Sequence, residues 1–148
     1  MADLTNIARG VVEAFNASDW EGTKALMTPD YVYNEVGTGR RIQGPEEVVA
    51  ALKGWKEAMP DVTGTVTNVL VSGNTVTLQV TWEGTQTGPL EGPMGTIPAS
   101  GKRQVTPGAW IFTFEGEKIK ESHHYFDMLS LLAQIGAIPG ERAESAGG

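Results

Sequence analysis

The residues best suited to chemistry crowd into one stretch near the C-terminal end, Ile119-Lys120-Glu121-Ser122-His123-His124-Tyr125-Phe126-Asp127. It holds both histidines of the chain and closes on a carboxylate, directly before the helix-forming run Met128-Leu129-Ser130-Leu131-Leu132. A strand sends alternate side chains to opposite faces, so Glu121, His123, Tyr125 and Asp127 are expected to share a face with Ile119. His124 is expected to look the other way, with Lys118 and Lys120. A carboxylate withdrawn from water becomes a stronger base. Abstracting a proton next to a carbonyl needs such a base and a donor for the enolate oxygen. The expected roles are Asp127 as base and His123 as donor or relay. An aspartate at a helix start is equally well explained as an N-cap, and a histidine at a strand end as a hydrogen-bonded packing residue.

Other residues offer weaker chemistry. Tyr31, Tyr33 and Glu35 share a strand face, and Tyr33 can donate to an oxyanion, although a strand is an ordinary place for tyrosine. Gln86, at the start of a loop rich in Gly and Pro, can polarise a carbonyl. Trp55, Trp82, Trp110 and Tyr125 can supply the walls of a substrate pocket. Gly84, Gly88, Gly92 and Gly95 lack the Lys-Ser/Thr and the following helix of a phosphate loop. Their loop reads as a lid over a pocket mouth.

These groups need elements to hold them. Leu4, Ile7, Ala8, Val11, Val12 and Phe15 recur at helical spacing, which predicts a helix over residues 4–17 with Asp3 as N-cap. Asp19 caps a second, short helix carrying Trp20, Leu26 and Met27 and stopped by Pro29. A short strand over residues 31–36 and a Gly-rich turn follow. Pro45 opens a third helix with Val48, Val49, Leu52, Trp55 and Met59 on its apolar side, and Pro60 ends it. From Val62 the period changes to two. Strands are predicted over 62–71, 76–82, 104–114 and, after the turn Glu115-Gly116-Glu117, up to Asp127, with a final short helix over 128–135. Helices followed by a long antiparallel meander make an α+β domain. A curved sheet wrapped around its helices leaves a hollow suited to an apolar small molecule. One domain is expected over residues 1–138, with a flexible tail over 139–148.

Composition removes several functions. The chain of 148 residues has no cysteine, a net charge of −7 and no basic stripe. Nucleic acid is not an expected partner, and no apolar run is long enough to cross a membrane. Two adjacent histidines that point apart give no metal site. The N-terminus lacks the pattern of a signal peptide, so the cytoplasm is the expected location.

Four patterns carry a resemblance over about Ile7 to Ile138. They are Phe15-Asn16-Ala17-Ser18-Asp19-Trp20, Trp55 with Met59-Pro60-Asp61, Gly84-Thr85-Gln86-Thr87-Gly88-Pro89, and Tyr125-Phe126-Asp127-Met128 with Leu131-Leu132-Ala133-Gln134-Ile135-Gly136. The chain resembles the SnoaL-like polyketide cyclases, within the nuclear transport factor 2-like and ketosteroid isomerase-like superfamily. The resemblance implies a cone-shaped α+β fold with an internal pocket. It implies an aldol-type ring closure of a polyketide ester without metal or cofactor, with the general acid/base at Asp127. The chain departs from that family at Gln86, where relatives often carry histidine, and at His123, where they often carry an aromatic residue.

The expected function is a cofactor-free cyclase, isomerase or lyase acting on a hydrophobic carbonyl compound. The alternatives are a non-catalytic carrier using the same pocket, a dehydratase or epoxide hydrolase of the same fold, and a protein-interaction module. A homodimer is expected, because a long meander exposes a wide sheet face.

Overall fold

The computed structural model describes residues 3–92 and 95–138. The tail expected over 139–148 lies outside the described residues. In chain order the elements are α1 (Leu4–Ala17), α2 (Trp20–Ala25), β1 (Met27–Glu35), β2 (Arg40–Gln43), α3 (Pro45–Ala58), β3 (Thr63–Ser72), β4 (Thr75–Thr85), β5 (Leu90–Gly92), β6 (Gly95–Ile97), β7 (Arg103–Glu115), β8 (Lys118–Phe126) and α4 (Met128–Gln134).

Local chemistry sets the helix ends. Asp3 and Asp19 cap α1 and α2, each accepting from a backbone N–H of the first turn. Helix α3 starts on Pro45, and Glu46 and Glu47 sit at its positive end. Helix α2 stops at Ala25, earlier than the position of Pro29 suggests, and Met27 already belongs to β1. Pro29 is tolerated in that strand because β1 pairs with β8 at Met27 and again only from Val32. The missing N–H therefore falls in an unpaired interval.

Six strands form one sheet in the order β2-β1-β8-β7-β4-β3, and β5 and β6 form a separate hairpin. The meander expected from the sequence is antiparallel except at one seam, where β1 runs parallel to β8. Helix α1 packs on β3 and β4, α3 on β1, and α4 on β7. The buried face joins Ala8, Val11, Val12 and Phe15 of α1 to Val48 and Leu52 of α3, Val76, Leu78 and Val80 of β4, and Trp110, Phe112 and Phe114 of β7.

The loop between β4 and β7 is pinned rather than free. Gly88 donates its N–H to Ala58 O at 3.0 Å. A Cβ there would stand 2.2 Å from the carbonyl oxygen of Glu57, so only glycine fits against the end of α3.

Candidate functional site

The sheet and its helices leave a hollow of about 480 Å³, the open solvent at its mouth included. Its lining is almost wholly apolar: Phe15, Leu52, Trp55, Met59, Val62, Trp82, Trp110, Phe126 and Leu131, with Tyr33, Gln104, Thr106 and His124 as the polar members. None of these residues carries a charge at neutral pH.

The histidine in this wall is His124, not His123. The inner positions of β8 are Ile119, Ser122, His124 and Phe126, and the outer ones include Glu121, His123 and Tyr125. The reversal has one cause. Phe114 of β7 pairs with Ile119 and Thr113 with Glu121, so Lys120 is an extra residue in β8. Such a bulge shifts the alternation by one and exchanges the faces of every residue after it. The expected sidedness of His123, His124 and Tyr125 is therefore corrected. His123 stacks on Tyr125 outside the sheet, their ring centroids 6.4 Å apart, and Tyr125 is 45% exposed.

Asp127 is exposed and does not line the hollow. It is the N-cap of α4, its Oδ1 accepting from Ser130 N at 3.0 Å. Gln86 is buried but turned into its own loop. Its Nε2 donates to the carbonyls of Gly88, Ile97 and Pro98, and its Oε1 accepts from Ser100 N. It clasps the loop, and none of the described residues from 86 to 102 lines the hollow.

Tyr33, Trp55, Trp82 and Trp110 do meet at the cavity, and each indole N–H has a task. Trp110 donates to Ser122 Oγ at 3.1 Å, and Ser122 also meets the hydroxyl of Tyr31. Trp55 donates to Glu35 Oε2 at 3.0 Å, and Trp82 to His124 Nε2 at 3.1 Å. An indole N–H can only donate. His124 Nε2 must therefore be the unprotonated nitrogen, and Nδ1 carries the hydrogen. Nδ1–H then donates to the Tyr33 hydroxyl at 2.9 Å, and that hydroxyl donates to Glu35 Oε2 at 3.0 Å. The donors point one way along the whole chain: Trp82 to His124 to Tyr33 to Glu35.

Glu35 ends this chain as a fully buried carboxylate. Burial by itself would raise its pKa. Hydrogen bonds from Thr38 and Trp55 and the charge of Arg40 outweigh burial and hold the carboxyl below its ordinary value. Arg40 contacts Glu35 Oε1 through Nη2 at 2.7 Å and through Nε at 2.9 Å, and its side chain reaches the surface. Burial pushes His124 down to about 3, against an upward pull from Glu35. At neutral pH the imidazole is uncharged. Tyr33 is held well above the usual phenol range by burial and by the neighbouring Glu35 charge, so it stays protonated.

The geometry is locked by packing. The His124 ring lies flat on Trp110, with centroids 4.3 Å apart and 8° between planes. Trp82 rests on Gly64, where a Cβ would come within 2.5 Å of the indole. Gly64 is itself held by Asn16, which donates to its carbonyl and accepts from its N–H, both at 2.9 Å. Asn16 at the end of α1 thus braces the backbone on which Trp82 rests.

The arrangement sets a base, the Nε2 lone pair, beside a donor, the Trp82 N–H, in an apolar cavity. Sequence reasoning noted Glu35 with Tyr33 but left it secondary, and it placed His124 outside. Among the described residues no group of three or more His, Asp or Glu is placed to hold a metal ion. Nor is any described helix long and apolar enough to cross a membrane.

The fold is that of solved structures with the ketosteroid isomerase-like architecture. A candidate SnoaL-like polyketide cyclase from Jannaschia sp. CCS1 superposes with a TM-score of 0.81 at 24% identity, over 92% of this chain and 93% of that one. IdmH, a candidate polyketide cyclase from Streptomyces antibioticus, gives 0.78 at 24% identity, over 91% and 99%. TsrD from Streptomyces laurentii gives 0.79 at 26% identity, over 93% and 100%. No curated protein matches the chain. Residues 5–135 match the family described as SnoaL-like polyketide cyclase, and the chain belongs to that family.

Proposed function

We propose that the protein is an acid/base enzyme that acts on a neutral, hydrophobic carbonyl compound by enolisation, leading to isomerisation or aldol-type ring closure without a cofactor. The observation that carries this reading is the one-way chain Trp82–His124–Tyr33–Glu35 in the wall of an apolar cavity. A substrate carbonyl entering between Trp82 and His124 takes the indole N–H for its oxygen and frees Nε2. Nε2 then removes the adjacent proton: the C–H bond breaks, an N–H bond forms and the enolate oxygen rests on the indole donor. Burial disfavours the positive imidazolium and makes His124 a weaker base than free imidazole, and the hydrogen bond to Tyr33 and the Glu35 charge behind it offset part of that cost. In a ring closure the enolate carbon attacks a second carbonyl, and the imidazolium returns its proton to the new alkoxide.

A second reading, a carrier that holds its ligand unchanged, has its own support. Every buried side-chain nitrogen and oxygen among the described residues has a partner, if only a thioether sulfur for Gln104 Nε2, so no buried polar atom needs a reaction to account for it.

The test has two stages. Thermal unfolding against aromatic polyketide esters, steroids and terpenoid ketones finds a ligand, which at 100 times its dissociation constant should stabilise by about 2.7 kcal/mol. Conversion is then followed by mass spectrometry. His124→Gln should lose about a hundredfold or more in turnover. Asp127→Asn should stay within a few-fold, because asparagine caps a helix as well as aspartate does. The opposite pattern would return the base to Asp127. A ligand bound by every variant and never converted would favour the carrier.

A further inference from the structure

The cavity has a second polar place, away from His124, where one buried donor lacks a good acceptor. Gln104 is 1% exposed and lies in the cavity wall. Among the described residues the sole partner of its Nε2 is the thioether sulfur of Met59, at 3.5 Å. Sulfur of this kind is a weak acceptor, and no second acceptor among the described residues takes the other amide hydrogen. Burial of an amide donor without a proper acceptor is unfavourable.

The orientation of that amide follows from its neighbours. Gln134 Oε1 accepts from Val105 N at 2.7 Å, which turns its Nε2 toward Thr106 Oγ1 at 3.4 Å. Thr106 thus accepts from Gln134 and has its own hydrogen to give, which goes to Gln104 Oε1 at 2.6 Å. The oxygen end of Gln104 is taken, and the nitrogen end is left at the cavity wall beside Met59.

We propose that the Gln104 amide is a ligand anchor that takes an oxygen acceptor, a ketone, ester or ether oxygen, at the far end of the molecule from the group held between Trp82 and His124. The ligand is then elongated. Across β7, Trp82 stands opposite Thr106 and His124 opposite Trp110, two and six residues from Gln104, so the two polar places lie between about 7 and about 20 Å apart along the strand. A rigid, apolar molecule of several fused rings with an acceptor oxygen at each end spans that gap. The inference rests on the cavity being the ligand site, as proposed above, but not on any turnover there.

The experiment measures binding by calorimetry with two rigid steroids, 5α-androstane-3,17-dione and 5α-androstan-17-one, which differ by one terminal ketone. Wild type should bind the dione about tenfold more tightly, the low end of the effect of a hydrogen bond to a buried donor. Gln104→Leu should weaken the dione alone and bring the ratio to about one. That variant leaves Thr106 without its acceptor, so Gln104→Leu with Thr106→Val replaces both partners by apolar groups and should fold while showing the same loss of preference. A preference that survives both variants overturns the anchor. So does a wild type that binds the two steroids equally, or binds neither. A protein that shows the expected ratio but converts no carbonyl compound would sink the enzymatic reading and leave the anchor standing.

Discussion

His124 is the residue on which the chemistry and the stability of this protein meet. It is buried as a neutral ring, with a pKa pushed down to about 3 from an ordinary 6.5. The unfolded chain therefore binds a proton below pH 6.5 that the folded chain refuses until about pH 3, and stability rises with pH across that window. The contribution is complete above 6.5 and is lost as pH falls toward 3. Between pH 8 and pH 5 it should amount to about 2 kcal/mol, since each unit is worth 1.36 kcal/mol. Denaturant unfolding at the two pH values should show that loss in wild type and a clearly smaller one in His124→Gln. Equal losses would mean that the ring is not buried neutral. Glu35 has the same sign, but its pKa starts near 4.5 and is lowered, so its effect falls below this range.

At the scale of elements, the placement of the site depends on small irregularities. The helices, their caps and the long strands β3, β4 and β7 were legible from spacing, because apolar residues at periods of 3.6 and two leave a clear trace. The extra residue at Lys120 leaves none, and strict alternation therefore puts His123 and His124 on the wrong faces. The parallel seam of β1 with β8 joins residues about ninety apart in sequence, as the Tyr33–His124 contact does with its separation of 91, so the Glu35–Tyr33–His124 chain could not be assembled from local pattern. Asp127 was legible both ways, as base and as cap, and geometry gives the cap. The same dependence on detail makes Gly64 a sensitive position. An added Cβ meets the Trp82 ring at 2.5 Å, so Gly64→Ala must move the indole. A loss of about 1–3 kcal/mol is expected from overpacking, together with a changed imidazole signal for His124 in nuclear magnetic resonance as its Nε2 loses the indole hydrogen. An unchanged melting temperature and spectrum would refute the coupling.

For the whole molecule, the family resemblance of the fold was readable from the order of elements, and the match over residues 5–135 agrees with it. Among the described residues Glu35 is the one buried side chain that carries a charge, and the lining of the hollow carries none. The ionised pair nearest the cavity, Glu35 with Arg40, is self-compensated and stands behind the wall. That neutrality makes the hollow a filter on charge. An ion entering it exchanges water for indole and phenyl faces and finds no counter-charge, whereas a neutral ester or ketone loses little. A methyl ester and its free acid, alike in shape, should therefore differ by a hundredfold or more in affinity at pH 7, and the gap should close as the acid is protonated. Equal binding at pH 7 would show a counter-ion within reach of the ligand. Such a filter also works outward: any bound compound that comes to bear a carboxylate is no longer welcome, so ionisation of a product would itself drive its release.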